Sequence, residues 1–587
     1  MPSKIFTGEP ITITGTYTIL NTSFYDSDIL EQNRFNIYIN DELVYTIDTL
    51  EFTITPAAGT MRVTVQPTIS QTEKSSRIKA TTLSDVIITP DNYDEYVYKG
   101  ALDVDKNTKV MFQGNFTDKG EIVIPVGDIL VDGDATFTNT MFTLEASGII
   151  FQNMDITNNQ TAYPIVNTAD NNVITHNKVT ITNTDGKTAA IYNKANNTEI
   201  SYNDLFVDGP AMTVTYTAGV GVANTQAILL IGGDNNIVQY NNIQVTSTGS
   251  SSIYGTVEGI TNNNQANNTI ISNNNITVSG KAKFNYAINS LGNVENMVIR
   301  DNNILVSGER YADGIQVGNN ATNILIQGNT IKCICQNTTP VDEEAITYGI
   351  ITTSMGSGIS DNITITENNI DLTGTVNYGM EIYQTTNTLI TDNLIKANGL
   401  QSMGIGYAHS PNSTVTGNTI TTSGDSTQTL KAVTEEIEPA NVGIQIQQDS
   451  NNILIEANTI QTYDKGAQDT CINVETNNVT IKDNNLTSST KTGDDTVNPQ
   501  PGTTLEDNNA IEQESSTNTG EEITLGDTTT LTASFYDDTY TPISTGTAIF
   551  KVNGKTLRND NGEVIYVPVI NGRAELPDVN ITSEWTK

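Results

Sequence analysis

The sequence predicts an all-β protein whose central part is a parallel β-helix with three strands per coil. A six-residue pattern carries this prediction: an aliphatic residue, two variable residues, Asn, one variable residue and a second aliphatic residue occur eleven times between residues 174 and 486. Each of the ten intervals between copies also contains a small residue followed by a large apolar one. Only 16% of the residues are charged, against about 25% in ordinary domains, and the richness in Asn and Thr favours strands and turns.

Each repeat supplies three short apolar stretches, which are too brief for helices and alternate as half-buried strands do. The spacing between copies runs from 25 residues (Ile365 to Ile390) to 40 residues (Val415 to Ile455). We predict that the small–Ile pair, such as Gly314-Ile315, lies in one strand. The aliphatic residue before the Asn ends the second strand, and the one after it begins the third. Coils stacked at about 4.8 Å then give a rod section of roughly 50 Å.

The asparagine of the six-residue pattern is predicted to form a structural ladder. It falls at the tight bend between the second and third strands, where a residue must tolerate a left-handed or turn conformation. Its amide can bond to the amides of the coils above and below, and this satisfies groups that would cost about 1–3 kcal/mol each if buried unpaired. The ladder positions are Asn177, Asn203, Asn241, Asn274, Asn302, Asn329, Asn368, Asn393, Asn418, Asn458 and Asn484.

The outer face of the small–Ile strand is the candidate ligand-binding surface. If the Ile points into the rod, the next residue points outward. Amides, carboxylates and a Tyr in this row are able to bind sugar hydroxyls along a polymer, although any solvated strand face displays similar side chains. The outward residues are Asn289, Gln316, Glu381, Gln445 and Asn473, followed two places on by Tyr383, Gln447 and Glu475.

Insertions concentrate in one connection of the repeat. The link from the third strand back to the small–Ile strand is long at about 206–226, 244–258, 332–348 and 421–442. Insertions confined to one edge of a solenoid usually build its binding face. The alternative explanation is that these surface loops tolerate insertions that have no function.

The regions on either side of the repeats predict further β modules. We expect an Ig-like β-sandwich at 1–80, a β-helix at 81–513 that begins with irregular capping coils, and a second Ig-like sandwich at 514–587. Leu505, Asn508 and Ala510 look like a degenerate twelfth copy. Because only the front of a second sandwich fits before Lys587, we expect anchoring segments to lie outside this chain.

Charge and cysteine content exclude several classes of function. A formal net charge of −39 repels phosphate backbones, so nucleic acid is not an expected partner. No apolar run approaches the 18 or so residues of a membrane span. Cys333, Cys335 and Cys471 are predicted to be buried apolar residues, and no metal site is assigned. Asp103, Asp105 and Asn107 alternate like the start of a calcium loop. Ca²⁺ is therefore the one cofactor that the sequence suggests.

The chain resembles the adhesin-like proteins of methanogenic archaea, whose rods belong to the right-handed parallel β-helix class shared with pectate lyases. The resemblance lies in Asn-ladder coils flanked by sandwich modules and in three short sequence segments. These are Pro90-Asp-Asn-Tyr-Asp-Glu-Tyr96, Gly127-Asp-Ile-Leu-Val-Asp-Gly133 and Lys551-Val-Asn-Gly-Lys-Thr-Leu557. It covers nearly the whole chain. It implies an extracellular, cell-surface location and attachment to a glycan or another cell.

The amino-acid sequence is compatible with three functions. The main hypothesis is an adhesin-like protein, a rigid arm that attaches to glycans or other cells, and we expect no enzymatic activity and assign no catalytic residue. The alternative is a polysaccharide lyase or glycoside hydrolase on the same rod. Lyase chemistry needs a carboxylate-held calcium beside a Lys or Arg base, and the regular coils hold few bases. The third possibility is a passive surface stalk.

Overall fold

The structure is a computed structural model that contains two compact units, residues 1–510 and 511–587. It describes strands scattered before residue 82 and after residue 527, which are given below. Between these it describes residues 84–159, 163–182, 188–209, 224–247, 256–263, 266–280, 284–335, 345–353, 358–427 and 441–508.

The central region is a parallel β-helix, as predicted. Each strand pairs in parallel with the strand three places further along the chain. The register aligns equivalent positions of successive repeats, with Ile299 opposite Ile326 and Ile288 opposite Ile315. Three sheets therefore run along the rod, and each coil contributes one strand to each sheet.

The leading-strand sheet contains the strand that precedes each ladder asparagine. Its strands are Ile150–Gln152, Val173–Thr175, Glu199–Ser201, Ile237–Gln239, Ile270–Ser272, Val298–Arg300, Thr322–Gln327, Ser360–Thr366, Thr385–Thr391, Ser413–Thr416, Ile453–Glu456, Val479–Lys482 and Thr503–Glu506. The closing-strand sheet contains the strand that follows each asparagine. Its strands are Met154–Asn158, Lys178–Thr182, Asp204–Gly209, Asn242–Ser247, Asn275–Gly280, Asn303–Gly308, Thr330–Cys335, Asn369–Thr373, Leu394–Asn398, Thr419–Gly424, Thr459–Asp464 and Asn485–Thr487.

The small–Ile sheet completes each coil. Its strands are Ile165–Asn167, Thr188–Asn193, Asn224–Ile231, Thr256–Asn263, Phe284–Leu291, Tyr311–Gly318, Ile346–Thr353, Val376–Tyr383, Gln401–Ala408, Asn441–Ile446, Asp469–Val474 and Val497–Asn498. The Ile of each small–Ile pair packs into the same core as the aliphatic residues of the other two sheets, and Ile299, Ile304 and Ile315 are at most 1% exposed. Burying one such side chain contributes about 1.5–3 kcal/mol.

At the small residue before the Ile, the next coil approaches closely and the strand pairing is interrupted. A Cβ on Gly314 would lie 2.5 Å from the carbonyl oxygen of Gly349 in the next coil, and would also collide with Ile331. Gly379 is crowded by Gly404 in the same way. Because strict alternation breaks at this residue, both the residue before the small one and the residue after the Ile lie outside the core.

The eleven asparagines of the pattern form a continuous buried ladder. The backbone N–H and the side-chain Nδ2 of Asn329 both donate to Oδ1 of Asn368, at 3.0 and 2.9 Å. Nδ2 also donates to the carbonyl oxygens of Ile299 and Gln327. The same bonds recur along the row, and Asn484 donates to Asn508. Asn508, the asparagine of the degenerate twelfth copy, is thus the twelfth member of the ladder, while Ala510 lies outside the described residues.

The left-handed residue at this bend is not the ladder asparagine but the residue before it. That residue has φ near +57° in coil after coil, for example 56° at Asp301 and 57° at Asp392. The turn sends its side chain outward, so that the following asparagine points into the rod. The positions are Asn153, His176, Tyr202, Tyr240, Asn273, Asp301, Gly328, Glu367, Asp392, Gly417, Ala457, Asp483 and Asp507.

A second, exposed asparagine ladder begins each leading strand. An Asn precedes every leading aliphatic residue by three positions, and all eleven have φ between 52° and 62°. Nδ2 of Asn323 donates to Asn296 at 3.1 Å, and Asn362 donates to Asn323 at 2.7 Å. This outer ladder was visible in the sequence but was not predicted. It comprises Asn171, Asn197, Asn235, Asn268, Asn296, Asn323, Asn362, Asn387, Asn412, Asn452 and Asn478.

Irregular coils precede the first full repeat. They comprise strand Ser84–Ile88, helix Tyr93–Tyr96, strands Val97–Tyr98 and Ala101–Leu102, and two long strands, Thr108–Ile124 and Leu130–Leu144. Their interior is aromatic, with the rings of Phe116 and Phe137 stacked at 4.7 Å and Phe142 edge-on to Phe137. At the other end of the rod, a 3₁₀ turn spans Gly493–Thr496.

The described strands outside the rod form small sheets. The first region has a five-stranded sheet in the order Ile5–Phe6, Lys74–Thr81, Gly59–Pro67, Phe35–Ile39, Glu42–Ile47, and a pair formed by Ile11–Thr14 and Glu51–Ile54. The last region pairs Thr528–Ser534 with Arg573–Asn580, Thr547–Ala548 with Val567–Pro568, and Lys551–Val552 with Lys555–Thr556. Ig-like sandwiches at 1–80 and 514–587 remain predictions.

Candidate binding face on the small–Ile sheet

Four of the eight predicted face residues are buried rather than solvated. Asn289, Gln316, Gln445 and Asn473 are 4–8% exposed. Glu381, Tyr383 and Gln447 are half-buried, and Glu475 is exposed. The four buried residues therefore do not have the environment of an ordinary solvated strand face.

A second outward row explains this burial. The residue directly before each small residue also points away from the core, and its side chain lies beside the predicted row. Nε2 of Gln226 donates to Glu258, which belongs to the second row, and to Thr261, which belongs to the predicted row. A prediction based on strict alternation does not place the second row on the outside. In coil order the second row is Gln226, Glu258, Tyr286, Asp313, Tyr348, Tyr378 and Met403.

Three neighbouring oxygen atoms on this face have no hydrogen-bond partner in the described part of the chain. They are Asn289 Oδ1, Gln316 Oε1 and Asp313 Oδ1. Asn289 pairs in register with Gln316 on the next coil, and Asp313 lies on the same strand as Gln316. All three residues are at most 7% exposed. Buried acceptors left unpaired cost about 1–3 kcal/mol each, and a donor group from a ligand would remove that cost.

The predicted residues divide into two clusters along the face. Asn289 and Gln316 form the first, and Gln445, Asn473 and Glu475 the second. In the second cluster Nε2 of Gln445 donates to Glu475 at 2.9 Å, and Nδ2 of Asn473 donates to Oε1 of Gln445 at 2.9 Å. Its amides thus already bond to one another. Ile351, Glu381 and Gly406 occupy the same row between the clusters.

Aromatic side chains flank the first cluster. Tyr348 and Tyr378 stack with ring centroids 4.9 Å apart, and Phe284 lies 4.9 Å from Tyr311. Tyr311, Tyr348 and Tyr378 pack in a small apolar cluster separate from the core of the rod. Such rings offer apolar faces beside the polar row, which is the composition typical of ligand sites.

Burial dominates the electrostatics of the first cluster. Desolvation, followed by repulsion from Glu381, holds the pKa of Asp313 well above its usual value, although a backbone hydrogen bond from Tyr348 opposes the shift. Burial also raises the pKa of Tyr286 and Tyr348, with further contributions from the nearby carboxylates. Asp313 is therefore a buried carboxyl group that favours its protonated form.

Two of the predicted residues lie apart from both clusters, near the ends of their strands. Tyr383 meets the ring of His409 edge-on at 5.7 Å, and the backbone N–H of Gln447 donates to the carbonyl oxygen of Tyr407. His409 Nδ1 lies 3.3 Å from an oxygen of Asp449, and both side chains are largely exposed. His409 lies in a bend directly after strand Gln401–Ala408.

Basic residues and metal ligands are scarce here. The strands of the small–Ile sheet contain no Lys, Arg or His, but they carry Glu258, Asp313, Glu381 and Asp469. Among the described residues, no group of three or more His, Cys, Asp or Glu side chains could hold a metal ion. Asp103, Asp105 and Asn107 are among the residues covered by that search. The three cysteines are buried and unbridged.

The long insertions begin and end at the edge of this sheet. The chain leaves the closing-strand sheet at Gly209, Ser247 and Cys335 and next appears in the small–Ile sheet at Asn224, Thr256 and Ile346. Most residues of the four predicted insertions lie outside the described residues. No helix in the described part of the chain is long and apolar enough to cross a membrane.

Comparison with known proteins supports the fold. The model of the family "right handed beta helix region" matches residues 343–510, which supports the predicted handedness. No curated protein sequence matches the chain significantly.

Solved structures with some similarity include two tailspike proteins and a DFA-IIIase. The Dettilon tailspike protein (gp208) is 13% identical, with 80% of this chain and 75% of that one covered and a TM-score of 0.34. A DFA-IIIase from Arthrobacter chlorophenolicus A6 with DFA-III is 12% identical, with 71% and 93% covered and a TM-score of 0.35. The tailspike of E. coli bacteriophage HK620 with a pentasaccharide is 11% identical, with 82% and 80% covered and a TM-score of 0.27. At these TM-scores no function is carried over from them.

Proposed function

We propose that this protein is an adhesin-like surface arm that binds a neutral glycan along the outer face of its small–Ile sheet. The observation that carries the proposal is the pair of buried, unpaired amide oxygens, Asn289 Oδ1 and Gln316 Oε1, on adjacent coils. Sugar hydroxyls are donors that would satisfy both atoms. The extracellular location and the attachment to a cell or glycan surface follow from the resemblance to adhesin-like proteins.

The surroundings of these amides favour a sugar over other ligands. The half-buried rings of Tyr311 and Tyr348 lie next to the polar row, and a coil spacing of about 4.8 Å separates the acceptors of Asn289 and Gln316 on adjacent coils. The sheet carries carboxylates and no basic side chain, so a polyuronate would be repelled. This argues for a neutral glycan and against lyase chemistry on uronates, which needs a base beside the sugar.

A passive stalk is less consistent with this face. A spacer has no use for buried acceptors without donors, and apolar residues in their place would make it more stable. The described rod instead holds three such atoms next to one another.

Binding to a panel of neutral and acidic polysaccharides tests the proposal, with affinities measured by calorimetry. We expect the full chain to bind a neutral member, and Gln316→Met to weaken that binding by about tenfold or more, the equivalent of one lost hydrogen bond of about 1.4 kcal/mol. Gln327→Met is the matched control, because Gln327 lies in the same coil on the leading-strand sheet, where it donates to Glu367. Equal affinities for wild type and Gln316→Met, or binding to acidic polymers alone, would refute the proposal.

A further inference from the structure

The binding face also contains two carboxyl groups placed for acid–base chemistry. Asp313 lies on strand Tyr311–Gly318, and Glu381 lies two coils further on, on strand Val376–Tyr383. Both point away from the core of the rod. Their electrostatic interaction contributes to the raised pKa of Asp313.

We propose that Asp313 and Glu381 hydrolyse the glycosidic bond of the neutral glycan that this face binds. The inference rests on the proposed binding function and adds a reaction to it. The unpartnered oxygens of Asn289 and Gln316, both more than nine-tenths buried, are the independent sign that a ligand occupies this place.

The environments of the two carboxyl groups give them different roles. Asp313 is 3% exposed and lies between Tyr286 and Tyr348 in its row, and its burial raises the pKa of the carboxyl group, which suits it to act as the acid. Glu381 is half-buried, whereas Asp313 is only 3% exposed. Glu381 therefore has more contact with solvent than Asp313 and serves as the base.

The reaction consumes one water molecule and balances without another reactant. The carboxylic acid of Asp313 donates its proton to the glycosidic oxygen as the bond from that oxygen to the anomeric carbon breaks. Glu381 takes a proton from water while the water oxygen bonds to the anomeric carbon. The products are two sugar chains with free hydroxyls, and proton exchange with solvent restores both carboxyl groups.

The spacing of the two residues favours inversion at the anomeric carbon. Two coils separate their backbones by roughly 10 Å along the rod, and Glu381 lies three positions beyond Tyr378, the residue in register with the Asp313 row. Backbones this far apart favour the wider of the two carboxyl separations. Retaining hydrolysis needs carboxyl groups only about 5–5.5 Å apart, whereas inverting hydrolysis uses about 6.5–9.5 Å.

The test measures binding and new reducing ends with the full chain on the same panel of neutral polysaccharides. We expect wild type and the control Asp371→Asn to release reducing ends, because Asp371 lies on the closing-strand sheet in an ion pair with Lys332. Asp313→Asn and Glu381→Gln should lose about 100-fold or more of the rate but keep their affinity. The thermal unfolding of each variant establishes that it is folded. Proton magnetic resonance of the first product should show the inverted anomer.

The outcomes separate the two proposals. Binding without any reducing ends, or full turnover by Asp313→Asn, overturns the hydrolytic proposal and leaves the binding proposal standing. A retained anomer overturns the role of Glu381 as the base. The absence of binding to every neutral polysaccharide overturns both proposals.

Discussion

The inner asparagine ladder and the small–Ile face are both rows of buried polar side chains, yet their hydrogen bonding is opposite. Every ladder asparagine from Asn177 to Asn484 donates to the next, and each also donates to backbone carbonyl oxygens. On the small–Ile face, Asn289, Gln316 and Asp313 each keep an oxygen with no partner among the described residues. Residues of the same chemical type thus stabilise the rod in one place and keep unpaired acceptors in the other, where we propose that a ligand binds.

This difference has a consequence for stability. Removing a fully bonded amide leaves several buried partners unsatisfied, so the loss is large. Removing a group with an unpaired buried atom also removes the free-energy cost of burying that atom. The protein therefore loses little stability or becomes more stable. Substitutions in the two rows should therefore differ in sign or in size.

The largest effect is expected for Asn329→Leu. The substitution removes the bonds to Asn368, Ile299 and Gln327 and leaves the donors of Asn302 without their acceptor. With several buried groups unsatisfied at about 1–3 kcal/mol each, we expect unfolding to become easier by about 3–5 kcal/mol. Urea unfolding followed by circular dichroism measures this loss. An unchanged midpoint would mean that the ladder does not stabilise the rod.

The opposite sign is expected for Asp313→Asn above acidic pH. The folded-state pKa of Asp313 is raised well above 3.8, first by burial and then by Glu381. Its stabilising contribution is therefore complete below the unfolded-state pKa and is lost as pH rises through the folded-state pKa. Asn does not titrate, so the variant should gain stability over wild type as pH rises.

Urea midpoints at about pH 5 and about pH 8 measure this difference. The other titratable groups around Asp313 are Glu381, Tyr286, Tyr348, Tyr311 and Cys333, and all are present in both proteins. We expect the advantage of Asp313→Asn to be larger at the higher pH. An advantage that does not change with pH would show that Asp313 ionises in the folded protein as it does in the unfolded chain.

The rod was predictable from sequence because its coils repeat the same physical problem. Each coil buries one aliphatic residue on either side of an amide, so Ile299, Asn302 and Ile304 recur in register with Ile326, Asn329 and Ile331. The outer ladder could have been found by the same method, since Asn323 precedes Ile326 as Asn296 precedes Ile299. The repeat pattern is defined by buried residues, whereas the asparagines of the outer ladder are exposed.

The binding face was only partly predictable, because strand alternation fails at the small residue. Alternation predicts Gln316 outside but not Asp313, because the strand pairing is interrupted at Gly314, which lies between Asp313 and Ile315. Whether an outward amide is paired also depends on neighbouring coils. Gln445 meets Glu475, whereas Gln316 has Asn289 and Ile351 as its neighbours in register. Such contacts between distant residues do not follow from a local pattern.

The smallest effect is expected in the outer ladder, at Asn323. Asn323 and Asn329 belong to the same coil, but Asn323 is exposed and bonds only to the amides of Asn296 and Asn362 among the described residues. Water replaces those bonds, so their loss costs little. Its φ of 57° is the feature that matters, because a residue with a Cβ pays about 1–2 kcal/mol in this conformation unless it is Asn or Asp.

Two substitutions at Asn323 separate the amide from the backbone conformation. Asn323→Gly should change the unfolding free energy by no more than about 0.5 kcal/mol, whereas Asn323→Ala should lower it by about 1 kcal/mol. Both changes are measured by the urea unfolding used for Asn329→Leu. If Asn323→Gly instead destabilises the rod as much as Asn329→Leu, exposed amide ladders stabilise these coils as strongly as buried ones. Burial would then not be what distinguishes the structural row of this rod from the rest of its surface.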